Sequence, residues 1–210
     1  SRSKFFTDVL TRVPVRKVYA LMSTASQVTI SVDAPGKVNL YLAVGDVRQD
    51  GYHPLTTLFA AVSLLETITV SEGQAPGLSL SMDIVPGSLV DQQMQAGQFD
   101  PAAVPMDERN LVYRAAALIL AEHGIESVPA LHLHIAKAVP VAGGMAGGSA
   151  DAAAALIATD RYLYATGRTG ALLTQADYER LAAQLGADIP FSVRAALGPV
   201  SYTHLRAHET

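Results

Sequence analysis

The 210 residues carry 15 Lys and Arg against 19 Asp and Glu, a net charge of −4, with half of the chain apolar and no cysteine. That balance excludes the basic footprint by which proteins hold nucleic acid or anionic membrane surfaces, and the missing thiols exclude disulfides and thiolate metal sites. A sizeable core is affordable, and no stretch approaches the roughly 20 apolar residues that span a bilayer, so the reading is a soluble globular protein.

Residues 1–27 hold five basic residues against the single acid Asp8. The segment is readable as an Arg- and Ser-bearing transit sequence. Met22 stands shortly before the first clear strand and would serve as a start, which makes residues 1–27 an extension outside the fold, disordered or non-native. VTISVDAP then alternates apolar and polar residues as a half-buried strand does, and KVNLYLAVG continues with Val38, Leu40 and Leu42 on one face, so two strands are expected. The RQDGYH turn, with its Asp50-Gly51 hairpin signal, leads to LTTLFAAVSLLETITVSE and GLSLSMDIV, two further strands, although AAVSLLE also suits a helical turn. Pro86 to Pro105 reads as a long loop. NLVYRAAALILAEHG predicts a helix of strong formers stopped by Gly124.

ALHLHIAKAVP predicts a strand with Leu131, Leu133 and Ile135 on one face and His132 and His134 on the other. Two same-face histidines lack a third ligand in the neighbouring sequence, so an exposed sheet face is the better reading than a metal site. Helices are expected over 149–164 and 174–185. In the last segment, 200–210, His204 and His208 have metal-like spacing on a polar tail without periodicity, which reads as non-native or disordered. The folded part is placed at 28–199. Strands first, then strands mixed with helices, give an α+β class with an antiparallel-rich sheet.

PVAGGMAGGSADAAAAL, Pro140 to Leu156, places four glycines within six positions between a strand and a helix. Glycine loses more conformational entropy on folding than any other residue, so such a run implies close approach of something to the backbone. Successive N–H groups converging on a helix start favour an anion, phosphate above all. Ser149 is expected as the N-cap, its hydroxyl also available to phosphate or a metal water. Asp151 either complements the helix dipole or holds Mg²⁺, with the dipole the simpler reading. The run is not a P-loop, since no lysine follows Gly148, and it misses the G-x-G-x-x-G spacing of a dinucleotide fold.

Four segments in order carry a resemblance. PVAGGMAGGSADAAA resembles the central glycine-rich motif of the galactokinase, homoserine kinase, mevalonate kinase and phosphomevalonate kinase superfamily. APGKVNLYLAVGDVRQDGYHPLTTLF, DERNLVYRAA and LGADIPF are similar, more narrowly, to the 4-diphosphocytidyl-2-C-methylerythritol kinase family. The resemblance runs from about Val28 to Phe191. It implies a ribosomal protein S5 domain 2-like fold with helices packed on one side of the sheet, and a cytoplasmic, monomeric or weakly dimeric enzyme. The implied reaction is ATP-dependent phosphorylation of the 2-hydroxyl of 4-diphosphocytidyl-2-C-methylerythritol in the non-mevalonate route to isoprenoid precursors, with Mg²⁺ accompanying ATP. The alternatives are another small-molecule kinase of the superfamily and a non-catalytic nucleotide-binding fragment.

By the same resemblance Asp188 accepts the hydroxyl proton and Lys37 holds that carboxylate and the substrate oxygen in register. Asn39 orients the methylerythritol part, and Tyr52 and His53 recognise the cytidine end by stacking and base-edge hydrogen bonding, with Phe59 a weaker candidate for that pocket. Pro140, Gly143, Gly144, Met145, Gly147, Gly148 and Ser149 cradle the triphosphate, while Lys137 and Asn110 line the route to adenosine. Ala142 and Ala146 stand where relatives often have glycine, and a methyl group there is tolerable if those residues keep negative φ. The superfamily also has a C-terminal domain of about a hundred residues, whose third glycine-rich motif this sequence lacks. The resemblance places the cleft between the two domains, so part of the substrate wall is expected to be missing, which implies a chain inactive without it and apolar surface left uncovered.

Overall fold

Alternating side chains on long strands build the frame. The computed structural model describes residues 19–22, 28–44, 55–198 and 204–207. Its strands are β1 (Tyr19–Met22), β2 (Val28–Val44), β3 (Leu55–Glu72), β4 (Gly77–Ile84), β5 (Ala130–Lys137) and β6 (His204–Ala207). They form one sheet in the order β1-β2-β3-β5-β4, with β6 also on β3. Every pairing is antiparallel except β4 with β5.

β2 is one strand where two are expected. It continues through Pro35-Gly36 because register irregularities at Pro35/Lys37 and Asn39/Tyr41 absorb the missing donor and the bend. β3 is likewise continuous through AAVSLLE, because thirteen of its residues, from Leu55 to Val70, are matched to partners on β2. β1 and β6 fall in the segments that the sequence reading leaves outside the fold. Both pair along otherwise open strand edges, an attraction between backbones that apolar periodicity does not report.

One face of the sheet is the core. Ile30, Val32 and Ala34 of β2, Ile68 and Val70 of β3, and Leu131, Leu133 and Ile135 of β5 are all buried there, as the β5 alternation predicts. Burying each such Ile, Leu or Val side chain contributes about 2 kcal/mol. The opposite face is polar: Ser31 bonds Thr69 at 2.8 Å and Thr67 donates to Asp33 at 2.7 Å. There His132 and His134 engage Ser79 and Ser81 at 2.8–2.9 Å. Among the described residues no group of three His, Cys, Asp or Glu is placed to hold a metal.

Helices α1 (Leu89–Gln95), α2 (Leu111–Glu122), α3 (Gly147–Ala165), α4 (Gln175–Leu185) and α5 (Ile189–Leu197) complete the fold. α1 corrects the long-loop expectation for 86–105. Ser88 caps it by accepting from the Asp91 amide at 3.1 Å, and only Val90 is buried, so no apolar repeat announces it. A 3₁₀ turn, Pro101–Ala103, follows. α2 buries Val112, Ala115, Ala116, Ile119 and Leu120, a single helical stripe. α3 is buried nearly all round, its small alanines admitting β2, β3, α2, α4 and α5 to close range.

Further along α3, Asp160 is fully buried and answers three elements at once. Its Oδ1 meets His123 Nε2 of the α2 C-cap at 2.6 Å; its Oδ2 accepts from Tyr178 Oη of α4 at 2.5 Å and from the Leu173 amide at 3.0 Å. α4 begins with a Thr174–Asp177 capping box. α5, which the sequence reading does not foresee, starts at Asp188 with Pro190 in its first turn and is tied to α4 by Arg194 Nε donating to Glu179 at 2.7 Å. No described helix is long and apolar enough to cross a membrane.

Candidate functional site

The glycine loop bridges the end of β5 and the start of α3. Its backbone amides from Ala142 to Gly148 donate to no protein acceptor among the described residues, whereas the flanking Val141 amide is held by Gln93 at 3.0 Å and the Ser149 amide by Ala146 at 3.0 Å. Gly143, Gly144 and Gly148 are exposed. The loop walls a cavity of about 430 Å³ shared with Asn110, Lys137, Pro140 and Asp151. Open amides at a 19-residue helix start, facing a cavity, are the geometry that receives an anion.

Two expectations at this loop are corrected. α3 starts earlier than foreseen, so its N-cap is Ala146, without a side-chain bond, and Ser149 lies inside the first turn. Ala142 and Ala146 take φ of 59° and 53°, not negative values. The left-handed region crowds Cβ against the backbone and costs an L-residue about 1–2 kcal/mol. The loop therefore stores strain where glycine would relieve it.

Beside the loop, β2 passes so close that the Lys37 amide donates to the Met145 carbonyl at 2.9 Å. A Cβ on Gly36 would lie 3.1 Å from Val139 Cγ1 and 3.3 Å from that carbonyl, which is why glycine precedes the lysine. The Lys37 side chain is buried, its Nζ 3.4 Å from Asp188 Oδ2 at the head of α5. Nζ also donates to Asn39 Oδ1 at 2.7 Å, and Asn39 in turn donates to Thr57 Oγ1 at 2.8 Å. Beneath it lies the Phe59 ring, 4.7 Å from Nζ to the centroid. Phe59 is itself buried against Phe191, so it supports the ammonium from below rather than facing an open pocket. The Asp188 side chain is 34% exposed and makes no capping bond, leaving a carboxylate oxygen free to meet a reactant.

Beneath the first turn of α3 lies a cluster that sequence reasoning missed. Lys137 Nζ donates to Glu66 Oε1 and to Asp151 Oδ2, each at 2.6 Å, with all three residues buried. Glu66 also accepts from the amides of Ala138 and Val139 at 2.9 and 3.3 Å. Asp151 Oδ1 is buried with no partner among the described residues. Burial, followed by the negative Asp151, pushes Glu66 up to about 7 against the pull of Lys137. Burial raises Asp151 too. For Lys137, burial pulls downward, but the two carboxylates outweigh it and the ammonium is strengthened. Asp151 is thus a partner of Lys137 more than a dipole compensator.

The signal for Glu66 was present: it stands in phase with Ile68 and Val70 on the buried face of β3. The structure brings together Lys37, Asn39 and Asp188 on one side of the loop and Asn110, Lys137, Pro140 and the glycines on the other. Asn110 reaches the cavity while capping α2, accepting from Val112 at 2.9 Å and donating to Pro105 at 2.7 Å. Tyr52 and His53 lie outside the described residues.

Residues 110–196 match the family "GHMP kinases N terminal domain". The chain is 47% identical over 165 residues to the 4-diphosphocytidyl-2-C-methyl-D-erythritol kinase of Paenarthrobacter aurescens (strain TC1), covering 79% of this chain and 47% of that protein. It is 48% identical over 182 residues to the enzyme of the same name from Mycolicibacterium smegmatis (strain ATCC 700084 / mc(2)155), covering 84% and 49%. A crystal structure of 4-(cytidine 5'-diphospho)-2C-methyl-D-erythritol kinase superposes with a TM-score of 0.54 at 32% identity, over 81% of this chain and 55% of that one. The chain therefore spans about half the length of the curated relatives it matches. Fold, glycine loop and relatives are thus all similar to the N-terminal domain of GHMP kinases, the family that residues 110–196 match.

Proposed function

We propose that this chain is the nucleotide-binding part of an ATP-dependent kinase whose acceptor is the 2-hydroxyl of 4-diphosphocytidyl-2-C-methylerythritol. The observation that carries the reading is the Lys37–Asp188 pair, 3.4 Å apart, beside a loop of unengaged amides at a helix start. The amides from Ala142 to Gly148 would hold the triphosphate oxygens. Asp188 would take the acceptor's proton as its oxygen bonds to the γ-phosphorus and the bridging bond to ADP breaks. Lys37, fixed by Asn39 and the Phe59 ring, would offset charge on the attacking oxygen. Tyr52 and His53 are assigned to the cytidine end.

Mg²⁺, when bound with ATP, would neutralise and align the phosphate oxygens. Asp151 fits that ion poorly, because an ammonium already sits 2.6 Å from its Oδ2. A second reading is a nucleotide-binding protein without turnover, which would use the same open amides of the glycine loop. Incubation with ATP, Mg²⁺ and the cytidylylated methylerythritol separates the two. ADP formation that drops about 10²–10⁴-fold in Asp188→Asn supports the kinase. ATP binding with no ADP supports the second reading, and absence of ATP binding defeats both.

A further inference from the structure

The Glu66–Lys137–Asp151 cluster sets two carboxylates against one ammonium inside the protein, directly under a loop suited to polyanions. Two of its members, Lys137 and Asp151, line the cavity itself. Glu66 does not touch the cavity, yet its two oxygens gather Lys137 Nζ and the amides of Ala138 and Val139, the residues that lead β5 into the loop. The groups facing Glu66 are few. β5 and its extension bring Lys137 and those amides, α3 brings Asp151 and the bare Gly147, and β2 brings uncharged Ala34. Bringing a polyanion to the loop adds negative potential next to a buried cluster that already has one carboxylate too many. In a low-dielectric setting the least costly response is to neutralise a carboxylate with a proton. The partnerless Asp151 Oδ1 points the same way, since an unsolvated oxygen is penalised more when ionised than when neutral.

We infer that Glu66 is a proton-linked positioning residue: it sets the entry of the glycine loop through Lys137 and two amides, and the cluster takes up a proton when a polyphosphate binds. This rests on the phosphate-binding reading of the loop. Glu66, raised to about 7 chiefly by burial, is poised to respond near neutral pH.

Metal-free tripolyphosphate is the probe, titrated calorimetrically into the chain near pH 7 in two buffers of different ionisation enthalpy. The expected result is a buffer-dependent heat corresponding to roughly half a proton taken up per anion bound, with affinity weakening as pH rises. Glu66→Gln, which keeps the shape and an acceptor oxygen, should lose that uptake and flatten the pH dependence of affinity. Binding whose heat is the same in both buffers overturns the inference while leaving phosphate binding intact, and so does undiminished uptake in a folded Glu66→Gln. Should Glu66→Gln fail to fold, the two-buffer comparison on the unaltered chain still decides. Failure to bind tripolyphosphate or ATP at all defeats the phosphate reading, and this inference with it.

Discussion

Helix α3 carries a buried aspartate on either side of its middle, about 14 Å apart along the axis, and the two are treated differently. Asp160 has both oxygens answered, by His123, Tyr178 and the Leu173 amide, and lies away from the cavity. Asp151 shares one ammonium with Glu66, keeps one oxygen without a partner, and lines the cavity. A fully satisfied polar cluster fastens three helices together; a partly satisfied one beside a cavity is costly to keep and marks a candidate functional site. The contrast separates what holds α3 in place from what its leading end is for.

The largest effect should come from breaking the satisfied cluster. Asp160→Ala leaves His123, the Tyr178 hydroxyl and a backbone amide unanswered and should lower unfolding free energy by about 3–5 kcal/mol, read as a shift of the urea midpoint at pH 7. A loss under about 1 kcal/mol would erase the distinction drawn here.

A middle-sized effect should appear as pH dependence. Glu66 binds its proton more tightly folded, up to about 7, than at the ordinary 4.5. Its contribution is therefore complete below pH 4.5, fades as pH rises toward 7, and is constant beyond, with a slope of at most about 1.4 kcal/mol per pH unit. Thermal unfolding between pH 5 and 7.5 should show this decline, and Glu66→Gln should flatten it. An identical decline in the variant would assign it to other groups.

The smallest effect tests the loop between the two clusters and their neighbours. Ala146→Gly removes a Cβ from a φ of 53° and should stabilise by about 0.5–1 kcal/mol, raising Tm by about 1–4 °C at this chain length. A fall in Tm would show that the alanine methyl has packing value exceeding its backbone strain.

Much of this was legible where periodicity is strong. The alternation in ALHLHIAK and the stripe in LVYRAAALILAE fixed β5 and α2 nearly to the residue, because one face of each must be buried. α1 and α5 were not legible, since a seven-residue helix with one buried side chain and a nine-residue helix opening on Ile-Pro carry little repeat. At the site, resemblance paired Lys37 with Asp188, and the structure sets them 3.4 Å apart. Composition could not say that Ala146 would be left-handed, since that depends on how β5 must turn to reach α3. Nor could it explain Glu66, whose carboxylate makes sense only once strands 71 residues apart in sequence bring Lys137 to it.

Gly147 is where these two demands meet. A Cβ there would stand 2.8 Å from Glu66 Oε1 and 3.2 Å from Lys137 Nζ, so the ends of these two buried side chains would have to shift. The absent methyl thus fixes the thickness of the floor between the ionic cluster and the open amides above it. With so thin a partition, little intervenes to screen a charge arriving on top from the cluster underneath. A larger residue at that position would push the Glu66 and Lys137 termini away from the loop.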